Sequence, residues 1–146
     1  MATDGIVFEN SHYRAVQSPT CAVPGYLVVS AKAPATSLSA LSQSAAESLG
    51  PTLARLTSAI EVVTGAKTVY CARFGEEWPQ VHFHLFPRTD DLANQYREAH
   101  TAGTKLLGPL VVVWACERFK TSTASAGELA RLAEVANGIR KELQDA

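Results

Sequence analysis

The sequence contains few cysteines, and no two of them stand close together. Cys21, Cys71 and Cys116 are the three present, so there is no Cys-x-x-Cys pair for zinc binding or redox chemistry. An odd number of widely spaced cysteines is typical of a reducing compartment and unlike the paired framework of small secreted proteins. We therefore expect a cytoplasmic protein without structural disulfides.

The sequence also lacks an excess of charge of one sign. Charged residues make up 18% of the chain, and the formal net charge is -1 at pH 7. This balance argues against a general nucleic-acid-binding protein, because such proteins usually carry a basic surface. No apolar run approaches the ~18 residues needed to span a membrane. No charged-then-apolar leader is present either, so neither membrane insertion nor export is predicted.

What the sequence does contain is enough apolar material for a core. The chain has 146 residues, of which 47% are hydrophobic, so it is globular and of the size of one domain. Hydrophobic periodicity predicts short strands and longer helices. The predicted strands are residues 6–8, 13–16, 26–29, 67–74 and 80–88, and the predicted helices are residues 42–64, part of 89–108, and the segment after Ser125.

These elements do not repeat as strand-helix-strand units, so the sequence predicts an α+β fold. We expect an antiparallel five-stranded sheet with a central helix and a C-terminal helix gathered on one face. The central helix starts either from a capping box at Ser44 or at Pro51, with a break or kink near Gly50. The apolar run at residues 110–115 is either a short sixth strand or an interface segment.

The most informative segment is Gln80 to Arg88, which reads Gln-Val-His-Phe-His-Leu-Phe-Pro-Arg. Alternation along a strand places Gln80, His82 and His84 on one face, with neighbours roughly 6–7 Å apart. Half of the chain's four histidines lie here. Neutral imidazole can attack phosphorus or carbon, or transfer protons near neutral pH. Two alternatives stay open: a metal site, which would need further ligands, and a purely structural role.

This segment and the residues upstream of it resemble the histidine triad (HIT) family. Residues 80–88 resemble the family signature His-φ-His-φ-His-φ-φ, often followed by Pro-Arg, with Gln80 in the place of the first histidine. Residues 25–32 resemble its Gly-His-φ-Leu-Val-φ-Pro-Lys segment, and Leu38 and Leu41 match its helix-entry leucines. The resemblance covers about residues 5–90 and implies a single HIT-like domain over residues 1–146, with residues 91–146 as a C-terminal helical extension.

The resemblance also implies an activity. Members are nucleotide hydrolases and nucleotidyl transferases, in which the middle histidine forms a covalent nucleotidyl-histidine without a metal or cofactor. The nucleophile would be His82, and His84 would contact the phosphoryl oxygens or the leaving group. Gln80, Arg88, Ser18 and Trp78 are the candidate substrate-binding residues. The implied partners are a nucleotide or nucleoside phosphate and a second copy of the chain, paired through the strand at residues 67–74.

Three departures from the family pattern concern the site. Gln80 cannot carry a proton or a charge between pH 5 and 8. Tyr26 and Pro34 stand where the family has histidines. The loop before the signature is compressed to residues 74–79, and its two glutamates would repel phosphate if they pointed inward. We therefore predict a HIT-like nucleotide hydrolase or nucleotidyl transferase that acts on a nucleoside phosphate ester or amidate. The alternatives are a nucleotide-binding protein with little or no catalysis and an interaction protein with a vestigial site.

Overall fold

The computed structural model describes residues 5–146, which form one antiparallel sheet of five strands and four α-helices. The strands are β1 (Ile6–Glu9), β2 (Tyr13–Gln17), β3 (Leu27–Ala31), β4 (Thr68–Ala72) and β5 (His82–Arg88). Their spatial order is β1-β2-β3-β5-β4. The histidine strand is therefore internal, and β4 lies at an edge. The α+β class and the β4–β5 hairpin are confirmed.

One α-helix lies between β3 and β4, and the other three follow β5. The helices are α1 (Gln43–Thr64), α2 (Asp90–Glu98), α3 (Gly108–Arg118) and α4 (Ala126–Asp145). The predicted capping box begins α4: the Ser125 hydroxyl accepts from the Glu128 amide, and the Glu128 carboxylate accepts from the Ser125 amide. No helix within residues 5–146 is long and apolar enough to cross a membrane.

One face of the sheet packs against α1 and α4. Val29 and Leu85 from the central strands are fully buried there against Leu56 of α1 and Ile139 of α4. This is the face that alternation assigned to the core, opposite His82 and His84. Side chains of α4 belong to the same core as residues 5–90, so the C-terminal part of the chain is part of that core. The assignment of residues 1–146 to a single domain remains a prediction, and residues 1–4 lie outside the described part.

The central helix α1 and the C-terminal helix α4 share one face of the sheet, as predicted, whereas α2 and α3 lie on the other face. A second apolar cluster on the opposite face joins Tyr26 and Phe86 to Tyr96 of α2 and to Val111 of α3. The reason is that the central strands carry apolar residues on both faces at this end, and a sheet covered on only one side would leave them in water. Helices α2 and α3 cover part of this second face and leave the part around His82 and His84 open.

The apolar run at residues 110–115 is helical, so the prediction that it could form a sixth strand is wrong. Pro109 stands in the first turn of α3, where its missing N–H costs nothing. Val111 and Ala115 are buried four residues apart, whereas Leu110 and Val113 are exposed. A strand would place Val113 on the same face as Val111 and Ala115, so the burial pattern fits a helix, and packing overrides the β-propensity of the valines.

Helix α1 occupies the predicted residues 42–64 to within one residue, but it begins neither at Ser44 nor at Pro51. The cap is Ser42, whose side-chain oxygen accepts a hydrogen bond of 3.2 Å from the Ala45 amide. The helix then continues through Gly50 and Pro51 without interruption. Because Leu49 and Leu53 pack against the core on either side, tertiary contacts hold the helix together across the hydrogen bond that Pro51 cannot make.

Candidate functional site

The part of the second face that α2 and α3 leave open is the floor of a cavity of about 600 Å³. This volume suits a small-molecule ligand. The floor consists of residues on β3 and β5. These strands pair so that His84 lies opposite Val28 and His82 lies opposite Ser30. The walls come from residues 16–20 and 74–78. The two predicted catalytic histidines, Ser18 and Trp78 therefore line one cavity.

His82 is held by a backbone carbonyl and by a stacked indole. Only 6% of the His82 residue is exposed. Its Nδ1 lies 2.7 Å from the carbonyl oxygen of Gln80, and a carbonyl can only accept, so Nδ1 carries the proton. The Trp78 ring stacks on the imidazole with 4.6 Å between centroids. In neutral His82, Nε2 is therefore an unprotonated nitrogen with a free lone pair.

His84 is held by a side chain from the neighbouring strand end. The hydroxyl of Tyr26 lies 2.7 Å from its Nδ1, and the two histidine rings are 5.0 Å apart. Burial lowers the pKa of His84, and repulsion from His82 lowers it further. Burial also raises the pKa of Tyr26, so its hydroxyl keeps its proton. At neutral pH this pair is therefore a neutral tyrosine bonded to a neutral imidazole.

The side chain of Gln80 is directed away from the histidines. Its Oε1 accepts from the Ala35 amide, and its Nε2 donates to the carbonyls of Ala31 and Ala33, at 2.8 to 3.1 Å. All of the polar atoms of this amide therefore hold the loop after β3. Gln80 lines a neighbouring hollow with Trp78 and is not among the residues that line the cavity over His82.

The remaining predicted residues fall into two places. Ser18 is 3% exposed at the cavity wall, where its side-chain oxygen accepts from the Cys21 amide at 3.3 Å. Arg88 lies at the far end of β5 and donates to Thr68 Oγ1 at 2.9 Å. It does not line the cavity. The structure thus brings Ser18 and Trp78 to the histidines and leaves Arg88 outside the group.

The electrostatics of the cavity are unusual for a phosphate site. Among the described residues that line it, none is Lys or Arg, whereas Glu76 and Glu77 stand at its mouth. Both glutamates are exposed, and Glu76 accepts from the Gly75 amide, which lowers its pKa. The acidic loop side chains therefore carry negative charge at the mouth, while the floor offers neutral imidazoles and hydroxyls.

Within residues 5–146, no group of three or more His, Cys, Asp or Glu side chains is arranged to hold a metal ion. His82 and His84 could supply two nitrogen ligands, and a stable site normally needs a third or fourth protein ligand.

Two residues of the site were missed by sequence reasoning. Tyr26 was noted only as a replacement for a family histidine, and Phe74 only as part of the loop. Phe74 is 57% exposed, lines the cavity together with Trp78, and has its ring 6.2 Å from that of His84. An exposed aromatic beside a motif is a usable signal, because a large apolar ring in water usually marks a contact surface.

The fold of this chain is similar to the folds of several solved structures. No protein family model matches the sequence, and no curated protein does. By structure, the chain is similar to a histidine triad protein from Bradyrhizobium japonicum, with a TM-score of 0.67, 16% identity, and coverage of 94% of this chain and 89% of that one. A hypothetical histidine triad nucleotide-binding protein from Sulfolobus tokodaii gives a TM-score of 0.61, 14% identity, and coverage of 96% and 83%.

A Zn-bound histidine triad family protein from Mycobacterium smegmatis is also similar, with a TM-score of 0.60, 15% identity, and coverage of 96% of this chain and 84% of that one. In all three cases the likeness extends over more than nine-tenths of this chain. The chain therefore has the fold of the histidine triad proteins.

Proposed function

We propose that this protein cleaves or transfers a nucleoside monophosphate group through a covalent nucleotidyl-histidine on His82. The observation that carries the proposal is the hydrogen-bond partner of each imidazole Nδ1, which is the Gln80 carbonyl for His82 and the Tyr26 hydroxyl for His84. The Gln80 carbonyl holds the proton of His82 on Nδ1, which leaves Nε2 able to attack phosphorus. If the Tyr26 hydroxyl donates to Nδ1 of His84, the proton of His84 is on Nε2, facing the ligand.

The reaction then follows from these two nitrogens. His82 Nε2 forms a bond to the α-phosphorus, and the bond from phosphorus to the leaving oxygen or nitrogen breaks. His84 Nε2–H stabilises the phosphoryl oxygens or supplies the proton that the leaving group takes up. Water or another acceptor then displaces His82 and restores the enzyme. Trp78 and Phe74 offer apolar rings in the cavity lining for the nucleoside base.

The charge of the cavity defines the substrate class. Without Lys or Arg in the described lining, and with Glu76 and Glu77 at the mouth, a polyphosphate chain would meet no counter-charge. We propose a nucleoside monophosphate ester or amidate as substrate. A nucleotide-binding protein with little catalysis is the second candidate, favoured by the same lack of cations, because electrostatic stabilisation is often the largest catalytic effect.

The experiment that tests the proposal compares two substrates and follows the protein mass. We expect a nucleoside phosphoramidate to be turned over with a higher kcat/KM than a dinucleoside polyphosphate, and intact-mass analysis after rapid quenching to show one added nucleoside monophosphate. Adenylyl and guanylyl forms of each substrate should be included. Faster cleavage of the polyphosphate would refute the assignment of substrate class, and binding without an adduct or turnover would support the second candidate.

Tyr26→Phe tests the assigned role of the tyrosine. Loss of one hydrogen bond is worth about 1 kcal/mol, so we expect kcat to fall roughly fivefold with the fold retained. The ring ¹⁵N shifts of His84 should change from one tautomer to a mixture. Tyr70→Phe is the matched control, since Tyr70 stacks on Phe86 in the same apolar cluster. Unchanged ¹⁵N shifts in Tyr26→Phe would contradict the tautomer assignment.

The lowered pKa of His84 gives a pH dependence with a definite sign. Unfolded His84 binds a proton below its ordinary pKa of 6.5, whereas the folded form resists protonation until the pH is lower. The free energy of unfolding should therefore decline as the pH falls below 6.5 through the folded pKa. Replacement of His84 by Gln should reduce that decline, and a denaturant titration series from pH 7.5 to 5 would measure it.

We also propose that the protein is a homodimer and acts in the cytoplasm. Strand β4 is an open edge, and Gly108 at the start of α3 packs over Tyr70 of that strand. Leu110 and Val113 of α3 are exposed beside it, at 54% and 62%. An open edge next to an apolar stripe suits a symmetric interface burying at least ~1,200 Å² in total.

Light scattering at micromolar concentration should return the dimer mass for the wild type and the monomer mass for Val113→Glu. Leu129→Glu is the control, because Leu129 is an exposed leucine on α4, a helix that packs on the other face. A monomeric wild type would overturn the proposed dimer.

A further inference from the structure

Beside the cavity, the loop after β2 is hydrogen-bonded to the end of α3. Cys21 forms an isolated antiparallel bridge with Lys120, and the Ala22 amide donates to the Phe119 carbonyl at 2.7 Å. A second backbone hydrogen bond of 3.0 Å joins the Thr121 amide to the Thr20 carbonyl. Because Cys116 lies one helical turn before this junction, the backbone brings Cys116 next to Cys21.

The two cysteines lie in the second apolar cluster. Each thiol shifts the pKa of the other, so they are close neighbours, and both belong to the group that contains Tyr26 and Phe86. Cys21 is 1% exposed, whereas Cys116 is half-buried and open to small solutes. The two thiols are 95 positions apart in the sequence, so no local motif predicts that they are neighbours.

The two thiols differ in how readily they ionise. The neighbouring Cys21 thiol lowers the pKa of Cys116, whereas the Cys116 thiol, together with burial, raises the pKa of Cys21. A thiolate is the reactive form of cysteine, and reactive cysteines are partly exposed. Exposure and ionisation therefore select the same residue, Cys116, as the thiol that meets an oxidant first, with Cys21 already in place to react with it.

We propose that Cys21 and Cys116 are a modification site at which a peroxide forms a reversible intramolecular disulfide. The Cys116 thiolate attacks the peroxide, the O–O bond breaks, and Cys116 becomes a sulfenic acid while the released oxygen leaves as water or alcohol. The Cys21 sulfur then attacks the Cys116 sulfur, the S–O bond breaks, and water leaves with the Cys21 proton. The pair loses two electrons, which reduce the peroxide.

The cysteine pair lies next to the cavity and is not part of its lining. Tyr26 belongs to the same apolar cluster as the two cysteines. Burial is the main cause of the raised pKa of Tyr26, and charge on the two cysteines adds to it. The Tyr26 hydroxyl is the group bonded to His84. Oxidation replaces an ionisable pair behind Tyr26 with a neutral cross-link. The proposal concerns the thiols themselves and does not depend on the proposed catalytic function.

Thiol counting and peptide mapping test the proposal on the wild-type protein. After mild treatment with hydrogen peroxide and denaturation under non-reducing conditions, we expect the number of free thiols to fall from three to one. Intact mass should fall by two hydrogen atoms, a tryptic map should contain one peptide pair joined through Cys21 and Cys116, and dithiothreitol should reverse all of these changes.

Variants of the exposed thiol and of the reactive thiol are the controls. Cys71 is exposed on the edge strand, so Cys71→Ser removes intermolecular disulfides and should still lose both remaining thiols. In the Cys71→Ser/Cys116→Ser double variant, the buried Cys21 should stay reduced. Oxidation of Cys116 to a sulfinic acid with Cys21 still free, or a wild-type disulfide that involves Cys71, would overturn the proposal.

Discussion

His82→Ala is expected to lower kcat by more than ~10³-fold, because it removes the atom that forms the covalent intermediate. The adduct seen by intact mass should disappear as well. Since His82 lies on the cavity face, the core on the other face stays filled, and the variant should remain folded. Steady-state kinetics on the phosphoramidate, together with thermal unfolding, measure both effects.

Two comparisons make that result specific. His84→Ala should slow transfer by the ~10²–10⁴-fold typical of general acid-base groups, and the adduct should still form. His100→Ala should have full activity, because His100 is exposed and bonded to the Tyr96 carbonyl outside the cavity. A metal-dependent reaction would respond differently, with chelators abolishing activity. Equal activity of His82→Ala and the wild type would rule out the mechanism.

Gln80→His, which completes the family signature, is expected to lower stability and to slow the reaction. The glutamine side chain makes three hydrogen bonds to the loop after β3, and an imidazole cannot replace them. With the loop groups left unsatisfied, the free energy of unfolding should fall by about 2–3 kcal/mol. The Gln80 carbonyl, which orients His82, should shift with its residue, so kcat should fall as well. Denaturant unfolding and kcat measure the two effects.

Gln17→His is the matched control for that substitution. Gln17 also holds a loop through its side chain, accepting from the Gly25 amide and donating to the Val23 carbonyl. Its substitution should cost stability by a similar mechanism, while the carbonyl that orients His82 is untouched. A higher turnover in Gln80→His than in the wild type would show that the missing imidazole, and not the loop, limits the reaction.

The sequence by itself determined the elements whose signals are local. Alternation along residues 80–88 correctly assigned His82 to the open face and Leu85 to the core, because successive strand side chains point to opposite faces. The capping box at Ser125 correctly began the last helix, since its hydrogen bonds span only three residues. The chain order of strands and helices was enough to give the α+β class.

The tertiary structure decided everything that depends on partners distant in sequence. Tyr26 reaches His84 across 58 positions, and Gln80 reaches Ala31 across 49. The proximity of Cys21 to Cys116 and the helical state of α3 depend in the same way on the cluster around Tyr26. Such contacts depend on strand register and on which surfaces the helices cover, and no local pattern encodes these. Periodicity can therefore place a side chain on a face, whereas only the assembled sheet determines the atom it meets.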